Sequence, residues 1–117
     1  MIISITSSPR KTKRFRVTMD DGRVFDFGYD KGTTYIDHGD ENKRLAYWKR
    51  HYANPTEKRL IDNLVPSPAL FSAYLLWGRH PLDGVQETRS TSLEKNIRLL
   101  NEAWWQKAVA PTTSYEN

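Results

Sequence analysis

The sequence predicts a single small α+β domain, in which an antiparallel β-hairpin or three-stranded sheet at the N-terminus packs on three to four short helices. Two patterns support this class. The first 28 residues alternate apolar and polar side chains with the period of a strand. Later stretches place apolar side chains at helical spacing behind cap residues. The length of 117 residues suits one domain with a modest core. We expect that domain over residues 1–110 and a polar C-terminal tail at residues 111–117.

The hairpin is predicted from "KRFRVTM" and "RVFDF", which flank "DDG". A three-residue loop at residues 20–22 pairs Val17 with Phe25 and keeps all the apolar side chains on one face, whereas a two-residue turn would mix the faces. Gly22 then takes the left-handed position of a bulge. A third strand is indicated by "IISI" at residues 2–5, because a lone hairpin is barely stable in water.

The first helix is expected from about residue 41 to residue 52, after Asp40 as its N-cap. Leu45, Trp48 and Tyr52 form its apolar stripe at helical spacing. The charged side chains therefore lie mainly on the outer face of this helix. The residues that we place opposite the apolar stripe are Lys43, Tyr47 and Arg50.

Two further helices follow. Asn54 precedes Pro55 and Glu57 in a capping-box pattern that begins the second helix. The segment 68–77 comes after a Ser-Pro pair and before Gly78, and it is apolar nearly all round, which indicates a buried central helix. We expect this helix to lie against the apolar face of the sheet, which is formed by Phe15, Val17, Phe25 and Phe27.

The last helix is predicted to begin with a second capping box, made by Thr91 and Glu94. Trp105 lies about 100° round this helix from its neighbour Trp104. We therefore expect Trp104 in the core, and Trp105 either exposed or covering the edge of the sheet. The apolar stripe of the helix is Leu93, Ile97, Leu100 and Trp104.

The composition excludes some classes of protein. The chain has no Cys, which excludes a disulfide framework and a thiolate metal site. No apolar run approaches the roughly 18 residues of a membrane helix, and the N-terminus lacks the basic start and apolar core of a signal peptide. We therefore expect a soluble intracellular protein without a transmembrane segment. The net charge of +4 favours acidic partners.

Catalytic motifs are missing from the sequence, which has neither G-x-S-x-G nor a P-loop nor a dinucleotide fingerprint. His38, His51 and His80 are far apart. Asp37, His38 and Asp40 form a compact cluster that can hold a hard cation and, in our lowest-ranked hypothesis, serve a metal-dependent nuclease. Turn and cap roles account for the same residues. We therefore expect no enzymatic activity, no catalytic residue, no cofactor and no metal site.

Basic residues are concentrated in two segments, "PRKTKRFR" and "NKRLAYWKRH". Such cations can bind phosphates without sequence preference, and interleaved rings can stack on bases. Aromatic residues and Arg are also enriched where proteins bind each other. The predicted binding residues, for protein or phosphate, are Arg10, Lys11, Lys13, Arg14, Arg16, Lys43, Tyr47, Arg50 and Trp105.

Four segments carry a resemblance to a known family. "SSPRKTKRFRVTMDDGRVFDFG", "YIDHGDENKRLAYWKRH", "ALFSAYLLWGR" and "TSLEKNI" together resemble short uncharacterised proteins of nucleocytoplasmic large DNA viruses, which infect algae and protists. The resemblance covers about residues 7–97. The linking segment "YANPTEKRLIDNLVPSP" and the C-terminal "EAWWQKAVAPTTSYEN" depart from the family pattern, and they are where we expect a partner specific to this chain.

The resemblance implies a viral accessory protein, found in the virion and in the host cytoplasm during assembly. We expect a non-enzymatic structural protein, a minor capsid or cement component that bridges larger shell proteins as part of a larger assembly. Its partners are then other capsid or virion proteins. The alternative is a sequence-indifferent nucleic-acid-binding protein that acts in viral genome packaging or transcription.

Overall fold

The computed structural model describes residues 1–78 and 92–114, and of residues 109–114 only the backbone. An antiparallel sheet of order β1-β2-β3 is followed by helices, which confirms the α+β class. The strands are β1 (Ile2–Ser7), β2 (Lys13–Met19) and β3 (Val24–Tyr29). The helices are α1 (Tyr35–His38), α2 (Glu41–Tyr52), α3 (Pro55–Asp62), α4 (Pro68–Phe71), which continues as the π-helix Ser72–Leu76, and α5 (Leu93–Ser114).

The hairpin has the predicted register. Val17 pairs with Phe25, and Phe15 pairs with Phe27. Gly22 has a φ of +89°, the left-handed conformation expected at the bulge. The predicted third strand is also present, since β1 pairs with the far edge of β2. One apolar face is thereby kept along all three strands.

The core lies between that face and the central helix, as predicted. Val17, Phe27 and Phe71 are fully buried. The ring of Phe71 in α4 packs 5.3 Å from the ring of Phe25 and 5.7 Å from that of Phe27, measured between centroids. The helical segment ends before Gly78, whose φ is +82°.

Helix α2 is rotated relative to our prediction. Leu45 is 47% exposed, so its assignment to the inner stripe was wrong, and Tyr47 is 8% exposed, so its assignment to the outer face was wrong too. Trp48 is buried as predicted. The ring of Tyr47 stacks on Trp77 with centroids 4.5 Å apart and an angle of 9° between the rings. This stack, made with a distant segment, turns Tyr47 inward.

Arg44 also lies on the inward-facing side of α2. Its side chain is 1% exposed, and its Nε donates to the carbonyl oxygen of Trp77 at 2.9 Å. A second guanidinium nitrogen donates to Glu41 at 2.8 Å. The backbone acceptor at the end of the π-helix is thereby satisfied by an arginine that sequence periodicity assigns to the surface.

The helix caps follow the sequence in part. The carboxylate of Asp40 accepts from the backbone N–H groups of Asn42 and Lys43, as expected. Asn54 caps α3 as predicted, but Glu57 contacts His51 instead of closing the capping box. Glu57 lies at the capping-box spacing from Asn54, but its side chain contacts His51 of the neighbouring helix α2 instead.

Helix α5 docks on the core through the predicted stripe, all of whose members pack against it. The Trp104 indole donates to the carbonyl of Leu64 at 2.7 Å. Trp105 is 56% exposed, so the structure favours the exposed alternative for this residue. The hydroxyl of Ser92 accepts from the N–H of Lys95 at the start of α5, whereas Thr91, the predicted cap, lies outside the described residues. The helix reaches Ser114, so it takes in the first part of the predicted tail.

Candidate functional site

One end of the sheet opens into a cleft of about 520 Å³. The inner face of β2 carries Met19, Val17 and Phe15 in alternation, and the next position on that face is Lys13. Lys13 pairs across the sheet with Tyr29 of β3, and Tyr29 is 63% exposed. The apolar core therefore ends at a cross-strand pair of a cation and an aromatic ring, and the cleft begins there.

The loop between β3 and α1 forms one wall of the cleft. Just before this loop, Gly28 of β3 has a φ of +81°, and a Cβ there would lie 3.0 Å from Leu76 Cδ1 and 3.2 Å from Arg14 Cβ. Glycine is therefore needed where β3 passes the π-helix. Hydroxyl groups add hydrogen-bonding capacity to the cleft, and those that line it belong to Thr12, Thr33, Thr34 and Ser72.

Stacked rings form the opposite wall. Tyr47 lies between Trp77 on one side and His51 on the other, with ring centroids 4.5 Å and 4.1 Å away. Burial raises the pKa of the Tyr47 hydroxyl well above its usual value, the charge of Glu57 adds to the effect, and Arg50 opposes it. The hydroxyl thus stays neutral over the physiological range.

His51 is held in place by Glu57. Its Nδ1 lies 3.0 Å and 3.2 Å from the two carboxylate oxygens, and both side chains are about 30% exposed at the cleft. A carboxylate at one ring nitrogen fixes the orientation of a histidine. Sequence reasoning grouped His51 with the possible phosphate contacts of the second basic segment and gave Glu57 only a capping role. It did not pair them, although a histidine that ends one helix and a glutamate in the first turn of the next are natural neighbours.

Two predicted cations, Lys13 and Arg50, line this cleft from different elements. Within residues 1–78 and 92–114, no salt bridge joins either of them to a carboxylate. Lys13 comes from the first basic segment and Arg50 from the second. The fold thus brings one member of each segment to the same cavity, beside the buried Tyr47.

Two other predicted binding residues are held by internal ion pairs. Arg14 donates two hydrogen bonds of 2.7 Å to Asp37, and Arg16 donates two of 2.9 Å to Asp26. These bonds lower the pKa of both carboxyl groups to about 2. Of the five cations that we expected to bind phosphate or protein in the first segment, two already have carboxylate partners within the chain. Fewer cations of this segment are therefore available to an external anion.

The remaining predicted binding residues lie elsewhere on the surface. Arg10, Lys11 and Lys43 are exposed, but they do not line the cleft. Trp105 projects from α5. The nine predicted residues thus divide between the cleft, the internal ion pairs and separate surfaces, and they do not form one patch.

The side chains of the Asp37–Asp40 cluster point to separate partners. Asp37 accepts from Arg14 and from Thr34, and Asp40 caps α2. The Nδ1 of His38 accepts from the N–H of Asp40 at 2.9 Å. In the part of the chain that the structure describes, no three His, Asp or Glu side chains are placed to hold a metal ion. Over the same residues, no helix is long and apolar enough to cross a membrane.

A family model described as "Family of unknown function (DUF5754)" matches residues 3–51. The match takes in β1 from its second residue onward, all of β2, β3 and α1, and most of α2, but not α3, α4 or α5. It therefore includes Lys13, Tyr47 and Arg50. It covers less than half of the chain. Neither the curated proteins nor the solved structures yield a match.

Proposed function

We propose that the chain is a non-enzymatic viral structural protein, a minor capsid or cement component that bridges larger virion proteins through basic and aromatic surfaces. One observation carries the proposal: two surfaces suited to binding lie at opposite ends of the sheet. A bridging protein needs two such surfaces that can be occupied at the same time.

The first surface is the cleft, at the end of the sheet marked by the pair Lys13–Tyr29. The other end of the sheet is marked by the pair Ile2–Met19. The seven residues of β2 that separate the two ends span roughly 20 Å at the rise of a β-strand. Two partners bound at these ends would therefore not compete for the same contacts.

The second surface is on α5. The side-chain amide of Asn101 accepts from the N–H of Ile2 and donates to its carbonyl, and so fixes α5 at the far end of the sheet. Trp105 follows one turn later and is 56% exposed. Tryptophan is enriched among the residues that contribute most to binding at protein interfaces. Trp105 is exposed and can therefore contact a partner protein at this end of the sheet.

The viral setting rests on the sequence resemblance. The resembling segments supply β2, β3, α2, α4 and the π-helix, while the departing segment at the C-terminus supplies Trp105. The surface most particular to this chain is thus the one proposed to contact a shell protein. Lys13 and Arg50 at the other end suit an acidic partner by charge complementarity.

The proposal is tested by mass spectrometry of purified particles of the virus that encodes the chain. We expect the protein at many copies per particle, and we expect Trp105→Ala to lower that number several-fold. Leu45→Ala is the matched control, because Leu45 is also about half exposed but lies on α2. Detection in infected cells but not in particles, or equal losses for both variants, would contradict the proposal.

Sequence-indifferent nucleic-acid binding in genome packaging or transcription is the second candidate function. The observation in its favour is the joint placement of Lys13, Arg50 and Tyr29 at one cleft. The ion pairs of Arg14 and Arg16 weigh against a broad duplex-binding patch on the first basic segment.

A further inference from the structure

We propose that the cleft binds single-stranded nucleic acid, with a base against the ring of Tyr29 and phosphates on Lys13 and Arg50. The inference rests on the second candidate function, nucleic-acid binding, because it names the kind of nucleic acid that the cleft takes. In a protein that binds nucleic acid through a broad basic surface, many exposed cations contact the phosphates. Here a few side chains inside one cavity supply the contacts to the base and the phosphates.

Tyr29 has the features of a stacking platform. Its ring is 63% exposed at the mouth of the cleft. The N–H of Gly32 donates to the Tyr29 carbonyl at 3.1 Å, which closes a turn directly after the strand. A Cβ on Gly32 would lie 3.5 Å from Tyr29 Cδ1, so this turn packs closely beside the ring. An aromatic ring presented in this way accepts any base, because every base has a π-face.

The cations suit a phosphate backbone. Lys13 is the cross-strand neighbour of Tyr29, and Arg50 reaches the same cleft from α2. The nearest arginines in sequence to Lys13, which are Arg14 and Arg16, are bound to carboxylates. Lys13 and Arg50 are the predicted cations that the fold leaves for an external anion at this cavity.

The size of the cleft favours a single strand over a duplex. A volume of about 520 Å³ lies in the range of pockets that enclose small ligands, so it can accept a short stretch of unpaired chain whose base is splayed out. Paired bases are stacked inside a duplex and expose only their edges in its grooves. An acidic peptide would use the cations but would leave the flat rings of the wall without a matching group.

The test is fluorescence anisotropy with the full chain and a fluorescein-labelled oligothymidylate of about 12 nucleotides, a length within the site sizes of single-strand-binding folds. We expect binding at about 50 mM KCl that weakens with salt. Tyr29→Ala should weaken binding roughly 5- to 150-fold, as expected for the loss of one stacked base. Tyr29→Phe keeps the ring and should bind nearly as the wild type does.

The charge contribution is tested with Lys13→Gln combined with Arg50→Gln. Removing two phosphate contacts should lower the slope of log affinity against log salt by about 1.4 for a single strand. The matched control is Lys43→Gln combined with Lys49→Gln, which removes the same charge from exposed positions of α2 outside the cleft. This control should leave the slope nearly unchanged. Circular dichroism establishes that each variant is folded.

Three outcomes would overturn the inference. These are no binding of the oligothymidylate at about 50 mM KCl, equal effects of the cleft and control pairs, and tighter binding of a polyglutamate peptide or a matched duplex than of the single strand. Trp105→Ala should leave oligothymidylate binding unchanged. Failure of particle incorporation therefore tests the bridging function separately from the ligand of the cleft.

Discussion

The two basic segments of this protein, residues 9–16, which lead into β2, and residues 42–51 of α2, look alike in sequence and are used differently. In the strand segment, Arg14 and Arg16 point away from the core and pair with carboxylates at the surface. In the helical segment, Arg44 is buried and bonds to the end of the π-helix. Each segment leaves one cation, Lys13 or Arg50, at the shared cleft.

The difference teaches that the period of the element, and not the density of charge, decides what a basic run does. In β2 the side chains alternate, so Lys13 and Arg14 lie on opposite faces. In α2 successive side chains are 100° apart, so a run of cations is distributed around the helix and one of them can turn inward. The free energy that each residue contributes should differ accordingly.

The largest effect is expected for Arg44→Ala. The substitution leaves the Trp77 carbonyl without this donor and opens a cavity, so the free energy of unfolding should fall by about 3 kcal/mol. Lys49→Ala, at an exposed position on the same helix, should change it by less than about 0.5 kcal/mol. Urea denaturation measures both variants. A loss for Arg44→Ala no larger than that of the control would remove the distinction between the two segments.

The next effect concerns Gly28, where β3 packs between Arg14 of the strand segment and Leu76 of the π-helix. Gly28→Ala forces a side chain into the left-handed region and toward Leu76 and Arg14, and should cost about 2–3 kcal/mol of unfolding free energy. Gly22→Ala shares the positive φ but has open space around it, so it should cost about 1 kcal/mol. The difference between the two variants measures how tightly β3 packs at Gly28, and equal costs would show that the strand can relax there.

A smaller effect is expected for the ion pair of the strand segment. A double-mutant cycle with Arg14→Ala and Asp37→Asn should give a coupling free energy of about 0.5–1 kcal/mol at neutral pH, because both side chains are partly exposed. This coupling free energy should be smaller than the loss for Arg44→Ala, because Arg44 is buried whereas Arg14 is partly exposed to water. A coupling as large as the Arg44→Ala loss would contradict the division into surface and buried arginines.

The same pair gives a pH dependence of known sign. The folded-state pKa of Asp37 is about 2, below its ordinary value of 3.8. The stabilisation is therefore fully present above about pH 4 and is lost as the pH falls through about 2. Asp26 behaves in the same direction. Urea midpoints between neutral pH and pH 2 should fall less steeply in Asp37→Asn than in the wild type.

The smallest effect on stability is expected for the cleft cations. Lys13→Gln and Arg50→Gln remove no salt bridge made within residues 1–78 and 92–114, so each should change the free energy of unfolding by less than about 0.5 kcal/mol. These are the same substitutions that should lower the salt dependence of oligothymidylate binding. A large loss of stability would show that the two cations have a structural role, as Arg44 does.

Much of the fold could be predicted because its signals are local. The register of the hairpin followed from matching apolar faces around the loop at residues 20–22, and Asp40 and Asn54 were identified as caps from their positions. The candidate site was predicted only in fragments. Lys13, Tyr47 and Arg50 were singled out, but as members of two separate basic segments. Tyr29 could have been found by continuing the alternation of Phe25 and Phe27 by one more step.

The sequence by itself determined the pairing of β2 with β3, the caps Asp40 and Asn54 and the burial of the central helix, since each depends on side chains a few residues apart. Only the tertiary structure decided which face of α2 turns inward and which cations remain available. Those outcomes depend on partners far along the chain, such as the Trp77 carbonyl for Arg44 and the Asp37 carboxylate for Arg14. The orientation of a polar side chain depends on the partner it contacts in the folded chain. The apolar periodicity of its own helix or strand does not reveal that partner.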